Sequence, residues 1–358
     1  MNEPLAPPRP PVPLARWALI ALAVGGLGAV FAYVAGPLDP QRLTPQRLVD
    51  QLQANGGAHP GYRRNHAKGV CVIGRFDSSG AAARYSRAAL FAPGARTPLV
   101  GRFALPGGNP HAPDGGVPIR SLALRLIQAD GQQWRTGMNN MPVFPVATPQ
   151  AFYEQLRATA PDPATGKPDP ARQQAFFAAH PETAAFRAWI KDQRPSASYA
   201  TEPYYGLNAF YFVAADGARR AVRWRVEPDN GAAAAPLGAQ ERETLGAELQ
   251  QRLARGPLRW TLWATLAAPG DPVDDASRAW PAQREQIDAG TVVIERAQDQ
   301  DSGACRDINY DPLILPDGIV ASADPLLPAR SAAYAESYRR RSAEIARAGG
   351  RPPQESAR

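Results

Sequence analysis

In 358 residues the chain has two cysteines, three methionines and four histidines, and lysine occurs only at Lys68, Lys167 and Lys191. With no Cys-x-x-Cys pair and no Cys/His cluster, a structural zinc site and a dithiol redox motif are excluded. Cys71 and Cys305 leave one possible disulfide; Cys71 by itself reads as a small buried hydrophobe. Because lysine is so rare, the formal charge of +7 rests on arginine. These arginines are scattered among 33 acidic residues and form no stripe, which argues against a nucleic-acid partner. No repeat of 20 to 50 residues is visible, so a solenoid or propeller is not expected.

Only one long apolar run is present, "WALIALAVGGLGAVFAYVAG" at 17–36. It carries no charge and matches the roughly 20 residues that cross a bilayer at helical rise. A cleavable signal needs small residues at −3 and −1, and Tyr33 stands at −3 of a cut after Ala35, so an uncleaved anchor is the preferred reading. Arg9 and Arg16 before the run nearly balance Arg42 and Arg47 after it, so charge orients it weakly. The short proline-rich tail is the easier part to leave in the cytoplasm. The expectation is a single-pass protein of a bacterial inner membrane with its body in the periplasm, or a secreted periplasmic protein if the segment is cut. The chain divides into a tail and anchor or signal (1–36), one domain (37–350) and a frayed tail (351–358).

Thr44-Pro45 opens a short amphipathic helix that closes at Gly56-Gly57, and Thr148-Pro149 opens another. "ETAAFRAWIKDQ" has helical spacing, "PDPATGKPDP" is a loop, and a basic helix covers "SAAYAESYRRRSAEIARAG". Strand signals recur in "GVCVIGRF", "PLRWTLWATLAA" and "GTVVIERA". Asp130-Gly131 and Asp216-Gly217 each sit between apolar runs as hairpin turns. The predicted class is α+β: an antiparallel β-barrel with helical inserts and a C-terminal helix, preceded by one transmembrane helix.

The segment "GYRRNHAKGVCVIGRF" at 61–76 carries the candidate chemistry. A lone histidine at a strand edge is ordinarily a surface or satisfied core residue. If a strand ran from His66 to Phe76, His66, Lys68, Val70 and Val72 would share one face, with Cys71 on the other.

This segment resembles the distal-histidine region of the haem catalases. "LVGRF" (99–103), "LALRLIQADGQQW" (122–134), "MNNMPVF" (138–144), "WPAQREQIDAGTVVIER" (280–296) and "INYDPLILPDGIVASADPLLPARSAAY" (308–334) follow in the family's order. The chain is most similar to the small bacterial catalase-related peroxidases. The resemblance implies haem b, with His66 as the peroxide proton shuttle and Asn140 as the amide that orients peroxide. It implies Tyr334 as the axial ligand of the haem iron, with Arg330 one turn earlier keeping the phenol deprotonated. Arg63, Arg102 and Arg341 match the cations that pair with the haem carboxylates, and Phe152 is a candidate to pack on the haem face.

The implied reaction is reduction of hydrogen peroxide or an organic hydroperoxide, with an unidentified electron donor and weak catalase side activity. An efficient catalase, a hydroperoxide lyase or isomerase, and a non-catalytic haem-binding sensor are the alternatives, and a homo-oligomer is compatible with all of them. Two departures from full-length catalases stand out, the residue at 104 and the chain's brevity, since it lacks much of their extra helical and wrapping sequence. Ala104 replaces a serine that hydrogen-bonds the distal histidine, and Pro145 replaces a channel aromatic.

Overall fold

A computed structural model describes residues 14–34, 42–231 and 235–350. Arg9 with the proline-rich tail, Ala35 with the end of the apolar run, and the tail at 351–358 lie outside the described residues. The chain divides into two units at Thr44/Pro45. In the first, helix α1 (Leu14–Val34) carries Arg16 near its start and is otherwise uncharged, long and apolar enough to cross a membrane.

The second unit is built on an antiparallel sheet whose eight long strands close into a barrel. They are β1 (Gly69–Ser78), β2 (Arg96–Ala104), β3 (Ser121–Ile127), β4 (Gln133–Asn139), β5 (Tyr204–Val213), β6 (Arg219–Pro228), β7 (Leu258–Leu266) and β8 (Gln286–Gln298). Their order is β4-β3-β2-β1-β8-β7-β6-β5, and β4 meets β5 at Asn139 and Tyr205. A short β9 (Ile319–Ala321) adds to β5. Both Asp-Gly hairpins form, with Gly131 and Gly217 at φ of 83° and 86°, the left-handed backbone such turns require.

Alternation along the strands sends Val72, Phe76, Phe103, Trp134, Trp224 and Trp260 into the barrel, where all are buried. Phe103 stacks on Tyr199 at 5.0 Å and Phe210 on Trp224 at 4.5 Å. Burying each such aromatic contributes about 2–3 kcal/mol, so this interior holds the strands in register.

Helices α2 (Pro45–Gly56), α3 (Pro149–Ala158), α5 (Ala184–Lys191) and α7 (Leu326–Arg347) correspond to the expected ones. At α3 the Thr148 hydroxyl accepts from the Ala151 N–H, closing the N-terminus as a cap should. The last helix starts five residues earlier than its sequence pattern marked, at Leu326, whose N–H donates to Asp324 just ahead of the Pro325 N-cap. Two helices, α4 (Pro170–Ala179) and α6 (Thr244–Leu253), were not expected.

Two expectations are corrected. β1 begins at Gly69, and His66 sits before it at φ 56°, so the strand-parity argument does not apply to that histidine. Cys71 is no free hydrophobe, since it forms a disulfide with Cys305 across 234 residues.

Candidate active site

A cavity lies against the outer face of β2–β4, under α7. Register makes that face. Arg102 pairs with Ala123, which pairs with Gly137; Ala104 pairs with Ser121, which pairs with Asn139. Between Arg102 and Asn139 the wall is therefore made of small side chains. A Cβ added at Gly137 would lie 3.2 Å from Arg330 Nη2 and 3.8 Å from Tyr334 Oη, so the missing side chain keeps a cradle open beside the phenol.

Opposite this wall, Arg330, Tyr334, Ser337, Tyr338 and Arg341 form one stripe of α7, at helical spacing. The loop at 61–68 adds Arg63 and His66, α2 adds Leu48 and Leu52, and α3 adds Phe152, whose ring tilts against Phe144 at 5.5 Å. The structure thus brings His66, Arg63, Arg102, Phe152, Arg330, Tyr334 and Arg341 to a single cavity.

It does not bring Asn140 there. Asn140 lies past the end of β4, where its Nδ2 donates to Glu202 (2.7 Å) and to the Pro118 carbonyl (3.2 Å), while its Oδ1 accepts from the Arg120 N–H (2.9 Å). Asn139 lines the cavity instead, because it shares the outward face with Gly137. Ser121 donates to Asn139 Oδ1 at 2.6 Å, an arrangement that leaves Nδ2 as the available donor. Strand parity from the Asp130-Gly131 turn would have separated the two asparagines.

His66, on the loop beside this wall, is half-buried, with its Nδ1 fully enclosed. Burial first, then the charges of Arg102, Arg330 and Arg63, pull its imidazole down to about 3, so it stands neutral. The Leu105 carbonyl is near enough to favour the protonated form slightly, but Nδ1 makes no hydrogen bond. Ala104 offers nothing to that atom, and the hydroxyl beside it, Ser121, is engaged by Asn139.

Arg330 Nη2 donates to Tyr334 Oη at 3.4 Å. Its Nη1 donates to Asn208 Oδ1, and Asn208 Nδ2 donates to the buried Asp324 at 2.8 Å. This chain of contacts fixes the guanidinium beside the phenol. Asn208 and Asp324 carry no local sequence signal, since they reach Arg330 only through the fold.

At the third corner Arg63, Arg102 and Arg341 converge. Burial and then the repulsion of Arg102 lower Arg63 to about 9; burial and then Arg63 lower Arg341 to about 9; burial lowers Arg102 to about 10. Nε of Arg102 and of Arg341 is buried without a hydrogen bond. Three crowded cations, two of them partly unsatisfied, next to a small-residue wall and a phenol suit a flat group that bears carboxylates.

The sequence profile of the Catalase family matches residues 33–346. A catalase-related peroxidase of Synechococcus elongatus is 40% identical over 331 residues, covering 91% of this chain and 96% of the relative. One of Mycolicibacterium paratuberculosis is 32% identical over 303 residues, covering 84% and 95%. Among solved structures, a bacterial catalase superposes with a TM-score of 0.71 at 22% identity, covering 90% of this chain and 66% of that one. This chain therefore spans about two thirds of that catalase, and the likeness there is one of fold. Barrel, cavity and sequence agree on the class, an oxidoreductase acting on peroxide with the haem that its relatives imply. The chain belongs to the catalase family.

Proposed function

We propose that the protein is a peroxidase that holds haem b in this cavity and reduces hydrogen peroxide or small organic hydroperoxides at the expense of an organic electron donor. The observation that carries the reading is a neutral imidazole and a donor amide lining one cavity, with a Tyr–Arg pair on the helix that faces it. Tyr334 would hold the iron, and Arg63, Arg102 and Arg341 would pair with the carboxylates. When bound, haem supplies the electron-transfer chemistry.

The chain's own residues handle orientation and protons. His66 Nε2, the ring nitrogen not sealed into protein, takes the proton from one peroxide oxygen and returns it to the other, which leaves as water. A base already neutral needs no prior deprotonation at physiological pH. Asn139 Nδ2 donates to the peroxide and holds its orientation without itself titrating. Arg330, braced by Asn208 and Asp324, donates to Tyr334 Oη and holds the phenol in place. With Nδ1 unanchored, His66 is held less firmly than a hydrogen-bonded imidazole. This favours one peroxide per turnover followed by electron donation, over ordered handling of a second peroxide.

The domain reading remains an anchor or signal at 1–36 and a haem domain at 37–350. The disulfide supports an oxidising compartment, in keeping with a periplasmic body. Haem-loaded His66→Ala and Tyr334→Phe variants test the assignment. Peroxide consumption should fall at least about a hundredfold in the first, within the usual worth of a general base. The absorption spectrum should change in the second. Unchanged turnover in one, or an unaltered spectrum in the other, would remove that residue from the scheme.

A further inference from the structure

One feature of the cavity lies outside the peroxide chemistry. The turn-rich segment 299–308, which leaves β8, provides acceptors to all three guanidinium groups at the carboxylate corner. Arg63 Nη2 donates to the carbonyls of Cys305 (3.1 Å), Arg306 (3.3 Å) and Ile308 (3.0 Å). Arg341 Nη1 donates to the Arg306 carbonyl at 2.6 Å, and Arg102 Nη2 to Gln300 Oε1 at 2.7 Å.

Residues 299–308 have no strand ladder of their own. Turn hydrogen bonds shape the segment, and the bond from Cys305 ties its middle to Cys71, which stands directly opposite Arg102 in the β1–β2 register. The seat is tight. Both cysteines are fully buried with Ile308 and Tyr310, the Cys305 N–H donates to Cys71 Sγ, and a Cβ at Gly303 would lie 2.9 Å from Cys71 Cβ. Carbonyls aimed at an arginine fix where the rest of its fork points. Their position depends on a covalent link to the same strand pair that carries Arg102.

We propose that the disulfide-pinned segment 299–308 is a positioning element for the cofactor, setting Arg63, Arg102 and Arg341 for its carboxylates; this rests on the haem reading above. Within the segment Ile308 alone reaches the cavity that holds His66 and Tyr334, so its loss should chiefly weaken retention of the cofactor.

The test compares haem with its dimethyl ester, which has the same ring and iron but no free carboxylates. Both are titrated into the apoprotein by absorption, for wild type, Cys71→Ala/Cys305→Val and Gln300→Ala. Wild type should prefer the free acid. The double variant should lose affinity for the free acid by about tenfold or more, the worth of one charge-assisted contact, and change less than about threefold for the ester. Gln300→Ala, whose side chain is not part of the core, should show a smaller selective loss and serves if the double variant does not fold. Equal losses for acid and ester, or a full acid preference retained in the folded variants, would overturn the proposal. A wild type that binds neither porphyrin would instead overturn the cofactor reading.

Discussion

Restoring a hydroxyl at residue 104 should improve the enzyme measurably. His66 Nδ1 is buried without a partner, and Ala104, 3% exposed on the same wall, is the neighbour that has no polar atom to offer. A buried, unsatisfied donor costs about 1–3 kcal/mol, and a hydroxyl that accepts from it recovers about 1 kcal/mol net. At about 2 cal/mol/K of unfolding entropy per residue, a body of roughly 300 residues gains about 2 °C in Tm. Because the bond also locks the ring, orientation of the proton shuttle improves, and a gain of about 1.4 kcal/mol in the transition state is tenfold in rate. Ala104→Ser should therefore raise kcat/KM for hydrogen peroxide by about three- to tenfold, with a small rise in Tm. The assays are steady-state peroxide consumption by the haem-loaded protein and a thermal melt of the same samples. A higher Tm with unchanged kcat/KM would show that the hydroxyl bonds elsewhere, and would refute the claim that an unanchored imidazole limits the wild type.

Other outcomes follow from the same geometry. Asn139→Ala should lower kcat/KM for peroxide by about 1.5–3 kcal/mol, or ten- to a hundredfold, by losing the donor to a charge-developing oxygen. Asn140→Ala should instead mainly lower Tm, since it strands Glu202 and the Arg120 N–H; the reverse pattern would restore Asn140 to the site. With its imidazole held near 3, His66 should contribute no inflection to kcat/KM between pH 5 and 8, and one that disappears in His66→Gln would contradict this. The unfolded chain binds a proton on His66 below about 6.5 while the folded one does not until about 3, so stability falls as pH drops through that window. The apoprotein should lose up to roughly 5 kcal/mol there from this group, and His66→Gln should be less acid-sensitive in a denaturant titration. Arg64→Ala should cost about 3–5 kcal/mol in the same titration, because Arg64 is 5% exposed and pairs with Glu344 between the histidine loop and α7. A change under 1 kcal/mol would mean that the pair is well solvated.

Much of this architecture was legible from local chemistry. Asp-Gly turns fixed two hairpins because only residues at ease with positive φ serve there, and Thr-Pro starts marked α2 and α3. The helix α6 escaped notice because its N-cap is Glu243, at φ 56° with no side-chain cap hydrogen bond, and α4 because its alanines and phenylalanines trace no clear apolar stripe. His66 was misplaced onto a strand for a related reason, since nothing in "RRNHAK" announces a left-handed histidine. The site residues named from family resemblance converge except at Asn140, where a one-residue slip crosses from the cavity side to the buried side of the strand end. The disulfide and the Asp324–Asn208–Arg330 contacts join residues far apart in the chain. No spacing rule encodes them, and only the barrel brings them together.

The most direct test of the central claim is the dioxygen released per hydrogen peroxide consumed by the haem-loaded protein, with and without an aromatic electron donor. A peroxidase built on an unanchored His66 should release little dioxygen and consume peroxide rapidly only when donor is present. Near-stoichiometric dioxygen in the absence of donor, one molecule for every two of peroxide, would contradict the account and make the protein an efficient catalase.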